Sequence, residues 1–292
     1  RMFKGSIVAL VTPFKGNDID ESSLRKLVDW HISEGTDGIV PVGTTGESPT
    51  LNHDEHERVV EIVIDQCNKR VPVIAGTGSN STAEAINLLK HAENAGADAA
   101  LVVTPYYNKP TPEGLYAHYE ALDRASSGIP VIIYNIPSRS VIDINVDLMG
   151  RLSRLQSIVG VKDATSDISR IKKHNELCED GFIQLSGEDE TIYEYMINGG
   201  QGCISVTANI LPKVCSDMHK AFSNNDLEEA KRLNNILMPL HKALFIETSP
   251  SPVKYILSKM NLIDYEVRLP LVKVRQETKS ILDEIVSNLE IK

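Results

Sequence analysis

Short apolar runs, each continuous rather than alternating with polar residues, recur along this chain and decide what it can fold into. In order they are SIVALVT (6–12), GIVPVG (38–43), PVIAGTG (72–78), AALVVTP (99–105), PVIIYN (130–135), IVGVKD (158–163), FIQLSG (182–187) and GCISVT (202–207). A strand that shows one face to water alternates, whereas a strand covered on both faces reads as an unbroken apolar stretch. Between the runs, Leu24, Leu27 and Val28, then Val59, Ile62 and Val63, then Ile86 and Leu89 recur at helical spacing, which predicts amphipathic helices laid over a parallel sheet. Helix starts are visible as well. Asn52 stands three residues before Glu55, Ser81 three before Glu84 as a capping box, and Thr111 precedes Pro112 at a first helical position.

About eight strand–helix units in roughly 220 residues predict an α/β fold, a closed (β/α)8 TIM barrel over residues 1–224. From residue 225 to 292 the pattern turns helical, clearest in KRLNNILMPLHKALF and TKSILDEIVSNL, and predicts a helical region packed on the barrel. Dinucleotide and nucleotide signatures are missing: GTGSNS lacks the third glycine of GxGxxG, and no GxxxxGK[ST] occurs. A net charge of −10 and a pI near 5.3 leave no broad basic surface, which argues against nucleic acid or an anionic membrane as partner. Any anionic substrate must then be held by local groups. Cys67, Cys178, Cys203 and Cys215 form no CxxC pair, as expected of reduced thiols in a cytoplasmic protein. The N-terminal apolar stretch, broken by Pro13, is too short for a signal peptide or a membrane span, and Arg1 ahead of Met2 reads as a leftover of cloning.

In a parallel barrel the C-terminal strand ends share one face, so residues far apart in sequence converge there. Thr44 and Thr45 in VGTTGES, Tyr106 and Tyr107 in TPYYN, Tyr134 in YNIPSR and Lys162 in GVKDATS all stand at such ends. An ammonium in an apolar strand end is costly to desolvate, which pushes the amine towards its neutral, nucleophilic form. Such a lysine attacks a ketone, and the resulting iminium acts as an electron sink that turns the adjacent carbon into an enamine nucleophile. Tyr134, Thr45 and Tyr107 carry hydroxyls able to pass the protons this requires. The residues alone leave a second reading open, in which the amine of Lys162 reaches the rim or pairs with Asp163. GTTGE is likewise either a tight turn or a cradle of amides and hydroxyls for a carboxylate. Arg139 is either a solvated loop charge or a fork for a carboxylate. NHDEHERV is not HExxH and reads as a solvated, acid-rich first helical turn. His31, His91, His118, His174, His219 and His241 fall on predicted helices, which disfavours a metal-dependent aldolase.

Taken in order, ALVTPF, GTTGES, VIAGTGSNST, TPYYNKPTPEGLYAHY, YNIPSRS, GVKDATSD, GCISVTAN and VRLPL closely resemble the pyruvate-dependent class I aldolase family that contains dihydrodipicolinate synthase and N-acetylneuraminate lyase. The likeness covers essentially the whole chain. The double threonine of GTTGE and the presence of Arg139 turn it towards the dihydrodipicolinate synthase branch. That branch condenses pyruvate with aspartate semialdehyde to 4-hydroxy-tetrahydrodipicolinate, on the route to diaminopimelate and lysine.

The resemblance implies that Lys162 forms a Schiff base with pyruvate and that Tyr134, Thr45 and Tyr107 relay protons, Tyr107 reaching into a neighbouring subunit. It implies that Thr44 and Thr45 hold the pyruvate carboxylate, that Arg139 receives the semialdehyde carboxylate, and that Gly187 and Ile204 line the site. It further implies a feedback site for lysine at a subunit interface, formed by Ser48, His53, His56, Asn80, Glu84 and Tyr106, in a homotetramer built as a dimer of dimers, with no metal or organic cofactor. Two residues depart from the family pattern: Glu188 in SGED, where aspartate is common, and Ser249 in TSPSPVK, where asparagine is frequent. The rival readings are a sialic-acid or keto-deoxy-sugar aldolase with the same lysine, and a non-catalytic sensor barrel that binds an amino acid near His53 and His56.

Overall fold

Residues 3–291 are described by the structure, a computed structural model, so Arg1 and the reading attached to it lie outside. Each of the eight apolar runs supplies one strand: β1 (Gly5–Ala9), β2 (Gly38–Val40), β3 (Ile74–Gly76), β4 (Ala99–Val103), β5 (Val131–Asn135), β6 (Ile158–Asp163), β7 (Ile183–Ser186) and β8 (Gly202–Ser205). They pair in parallel in the order β2-β1-β8-β7-β6-β5-β4-β3. A parallel bridge from Ile39 to Val73 brings the two ends of this sheet together, which makes the predicted barrel. A hairpin with two-residue arms, Phe14–Lys15 and Asp18–Ile19, follows β1 and was not predicted, since two residues carry no periodicity.

Because successive side chains on a strand face opposite ways, the barrel has two apolar layers. Ile7, Val40, Ile74, Leu101, Ile132, Leu185 and Ile204 fill the lumen together with Tyr134. Val8, Ile39, Ala75, Val102, Ile133, Val161 and Cys203 face outward against the helices, whose Leu24, Leu27, Val28, Val59, Ile62, Val63 and Leu89 are the positions picked out by helical spacing. The C-terminal helices Leu227–Ala243, Ser251–Lys259 and Gln276–Asn288 add Leu233, Leu237, Leu240, Val253, Ile256, Leu257 and Leu282 to this same outer core. Among the described residues no helix is long and apolar enough to cross a membrane.

All three predicted helix starts form where expected, and one of them lacks half of its capping box. Asn52 Oδ1 accepts from Glu55 N at 2.8 Å and Glu55 Oε1 accepts from Asn52 N at 3.0 Å, a complete capping box. Thr111 caps the helix Pro112–Ala125 through Gly114 N. Ser81 is only half a box: its Oγ accepts from Glu84 N, but Ser79 Oγ has already taken the N–H of Ser81. The carboxylate of Glu84, left without that backbone partner, turns instead to Ser79 Oγ and to His53 Nε2, the latter at 2.6 Å. The six histidines predicted on helices lie on helices, and all but His91 are buried.

Candidate active site

Lys162 shares the lumen with Tyr134 because β6 contains a bulge. Val131 pairs with Ile158, yet Ile132 pairs with Gly160, so Val159 is an extra residue that shifts every later side chain by one face. Without it Tyr134 would stand beside Val161; with it, Tyr134 stands beside Lys162. Gly160 is required at this step, since a Cβ there would come within 2.5 Å of the Ile183 carbonyl oxygen. Lys162 is 6% exposed, and its Nζ lies 3.9 Å from the centroid of the Tyr134 ring, a cation–π arrangement for a protonated amine. It forms no ion pair among the described residues. Asp163 points the other way and accepts from Thr165 N and Oγ1 at 2.8 and 2.6 Å. The alternative of a rim-seeking or Asp163-paired lysine therefore does not hold.

The far side of Lys162 is shaped by Gly187, just past β7. A Cβ on Gly187 would lie 3.1 Å from Lys162 Cε and 2.9 Å from Ala164 Cβ, so only glycine leaves the lysine stem its place. Ile204 of β8 is buried in the lumen cluster that contains Tyr134.

The turn after β2 supplies the threonines. It folds back on itself: Glu47 N donates to Thr44 O at 3.0 Å, Ser48 N to Gly43 O at 3.3 Å, and Thr12 Oγ1 to Gly46 O at 2.6 Å. Thr44 lines a small cavity together with Ser48, His56, Thr77, Gly78 and Tyr134. Thr45 is 5% exposed and makes no hydrogen bond among the described residues. On the small cavity that Thr44 lines, His56 Nδ1 and Thr77 Oγ1 are buried without a partner among the described residues, and because buried polar groups are nearly always paired they mark a place for a ligand or water. Arg139 sits on the short helix Pro137–Ser140 beyond β5, exposed and without an ion pair among the described residues. It borders a cavity of about 220 Å3 with Thr44, Tyr106 and Ile136, and a second of about 370 Å3 with Ala164, Gly187 and Glu188. Glu188 accepts from Ser166 Oγ at the edge of the latter.

The six residues expected around lysine divide into an outer and an inner set. On the surface, His53 meets Glu84, whose carboxyl is held below its ordinary value by hydrogen bonds from Ser79 and His53, and Asn80 Nδ2 donates to Tyr106 O at 3.1 Å. Ser48 and His56 lie inside, on the small cavity that reaches Tyr134. The reading of NHDEHERV as a solvated turn fails at His56, which is 6% exposed and pushed down to about 4 by burial. Tyr107 is not brought to Tyr134 within this chain: it is 87% exposed, on a left-handed backbone with φ 75°.

Sequence reasoning missed a buried charge cluster behind the threonine turn. Glu47 pairs with Lys254 of the helix Ser251–Lys259, and both are buried. Arg268 N donates to the other oxygen of Glu47 at 3.0 Å, while its guanidinium binds Glu55 and the carbonyl of Thr50. Burial draws the Lys254 amine down to about 8, against the pull of Glu47. The stretches SPVK and VRLPL that carry these residues stood out in the sequence without a role.

A model of the dihydrodipicolinate synthetase family matches residues 2–289. The chain belongs to the dihydrodipicolinate synthetase family. It is an enzyme, as members of that family over nearly the full length indicate. It is 58% identical over 286 residues to the 4-hydroxy-tetrahydrodipicolinate synthase of Pelagibacter ubique, covering 97% of each chain. In structure it resembles the dihydrodipicolinate synthase of Acinetobacter baumannii solved with pyruvate, at TM-score 0.97, 48% identity and 100% coverage of both chains. It also resembles the family member from Cyanidioschyzon merolae solved with lysine bound, at TM-score 0.96, 32% identity and 99% coverage of both.

Proposed function

We propose that this chain condenses pyruvate with L-aspartate 4-semialdehyde to 4-hydroxy-tetrahydrodipicolinate through a Schiff base on Lys162. The observation that carries the mechanism is the amine itself: buried, free of any carboxylate, set on the ring of Tyr134, and given room by Gly187. In this reading Nζ attacks the pyruvate ketone, water leaves, and the iminium draws electrons so that the methyl carbon loses a proton and attacks the aldehyde. Thr44 and Thr45 hold the pyruvate carboxylate, and Arg139 receives that of the semialdehyde across the cavity it shares with Thr44. Tyr134 and Thr45 relay protons together with Tyr107 from a neighbouring subunit, in a homotetramer. The exposure of Tyr107 supports its use by another chain.

The test is pyruvate consumption by the purified protein in the presence of the semialdehyde, with borohydride trapping of pyruvate alone and mapping of the labelled residue. Label on Lys162 together with turnover is the expected result; turnover without label overturns the Schiff base, and label without turnover moves the assignment to a sugar-acid aldolase. Gly187→Ala should shift the Lys162 stem and lower kcat on the order of 10^2-fold, with about 1–3 kcal/mol lost in stability from overpacking. A rate for that variant equal to the unaltered protein's would show that the close approach at Gly187 is irrelevant to the chemistry.

Lysine is proposed as an inhibitor acting through His53, Glu84, Asn80 and Tyr106 outside and Ser48 and His56 within. The lysine-bound relative from Cyanidioschyzon merolae supports this, as does the small cavity that joins His56 and Ser48 to Tyr134. Added lysine should lower the rate, and Glu84→Gln should weaken that effect about tenfold or more, since a buried or half-buried charge partner is lost. A rate indifferent to lysine removes this part of the reading and leaves the condensation standing.

A further inference from the structure

The turn that bears Thr44 and Thr45 is bracketed by two residues other than glycine in left-handed backbone, Val42 at φ 50° and Glu47 at φ 57°. Such conformations persist only where the surroundings over-determine them. Glu47 is held both by its backbone, which donates to Thr44 O and accepts from Thr50 N, and by its side chain. The carboxylate is 2% exposed as part of Glu47 and bonded on one oxygen to Lys254 Nζ and on the other to Arg268 N. Lys254 is itself fully occupied: it donates to Glu266 O at 3.0 Å and lies 4.2 Å from the centroid of the Phe14 ring. Arg268 stacks on the same ring at 4.4 Å and donates to Asn17 O at 2.6 Å and to Thr50 O at 2.9 Å. The C-terminal segment is thus clamped to the back of the turn from several sides.

The clamp reaches the site through one peptide group. Glu47 N donates to Thr44 O, and the Thr44 carbonyl belongs to the same planar unit as the Thr45 N–H. In a trans peptide the two point opposite ways. Pinning the carbonyl to Glu47 therefore aims the Thr45 N–H away from Glu47, where it meets no protein acceptor among the described residues. A buried ion pair is weak evidence of a stability device, because apolar residues of similar volume often do as well or better. Its use here must be sought in the conformation it enforces.

We propose that the Glu47–Lys254 pair is a positioning device, which sets the Thr44–Thr45 peptide to receive the pyruvate carboxylate from a clamp built by the C-terminal region. This rests on the reading of Thr44 and Thr45 as the carboxylate site. Neither Glu47 nor Lys254 touches substrate in this arrangement. Their loss should therefore weaken capture of pyruvate rather than abolish the reaction at Lys162.

The test compares the unaltered protein with Glu47→Gln/Lys254→Met, which removes both charges at once and leaves Gln to accept from Arg268 N, and with Glu47→Gln alone, in which Lys254 can shed its proton. Borohydride trapping is followed against pyruvate concentration, with melting temperature recorded for each. The expected result is labelling of Lys162 that still goes to completion but is half-maximal at pyruvate concentrations at least tenfold higher, with KM for pyruvate raised likewise and KM for the semialdehyde nearly unchanged. A folded variant whose trapping curve overlays that of the unaltered protein overturns the proposal, and so does a change confined to melting temperature. If the double variant does not fold, the single variant is read by the same two criteria. Failure of the unaltered protein to label at all would instead refute the Schiff-base reading, so the two failures are distinguishable.

Discussion

Lys162→Ala should reduce turnover by more than about 10^3-fold while leaving the barrel as stable as before to within about 2 kcal/mol. Both halves of that expectation come from the same geometry. Among the described residues Lys162 is the only lysine set on the Tyr134 ring, so no other amine is placed to take over the attack on a ketone. In stability the terms oppose each other: deleting the stem leaves a cavity beside Gly187, but it also removes a desolvated amine with no carboxylate partner among the described residues. Residues at functional sites are often retained at such a cost in stability. Tyr134→Phe keeps the ring beneath the amine and removes only the hydroxyl, so it should cost the smaller factor of about 10^2–10^4 that proton transfer contributes. Steady-state rates and calorimetry on the two variants check this. Retention of a tenth of the original rate by Lys162→Ala would end the assignment.

Acid should destabilise the fold long before its carboxylates are protonated. Burial pushes His31 down to about 3 and His56, His118 and His219 to about 4, whereas in the unfolded chain each titrates near 6.5. Between those limits the unfolded state binds more protons than the native one. Stability is therefore fully present above about pH 6.5 and falls as the pH drops. Each histidine contributes about 1.4 kcal/mol per pH unit, so the four together cost on the order of 8 kcal/mol at pH 5. That rivals the whole stability of a typical domain, about 5–15 kcal/mol. The melting temperature should be flat from pH 7 to 8 and fall steeply below pH 6. His31 offers the sharpest check, because both of its ring nitrogens are buried without partners beside Trp30. His31→Met should keep or raise stability at pH 7 and make the acid slope shallower; an unchanged slope would mean that His31 plays no part in it.

The strands were legible because burial on both faces leaves a plain mark, an apolar run with no alternation. Lys162 was legible for the same reason in reverse, as a charge where none is cheap. The bulge that puts it on the correct face was not legible, since an inserted Val159 looks like any other strand valine and only Gly160 hints at a close approach. His56 could have been placed: Val59, Val60 and Val63 follow it by three, four and seven residues and are buried on the same helix face. Glu47, Lys254 and Arg268 were beyond reach from local pattern. Each alone resembles a solvated charge, and their pairing spans 207 residues of chain.

That span has a temporal side. Glu47 is synthesised 207 residues before its buried partner, which at ordinary translation speeds is about 10–40 s. For that interval the six remaining strands, β3 to β8, emerge one after another while the carboxylate of Glu47 waits without a countercharge and the turn after β2 lacks its C-terminal brace. The barrel is thus complete in strands before the Glu47–Lys254 pair can form, and a nascent chain halted short of Lys254 would carry Lys162 on β6 while the Thr44–Thr45 turn is still unclamped.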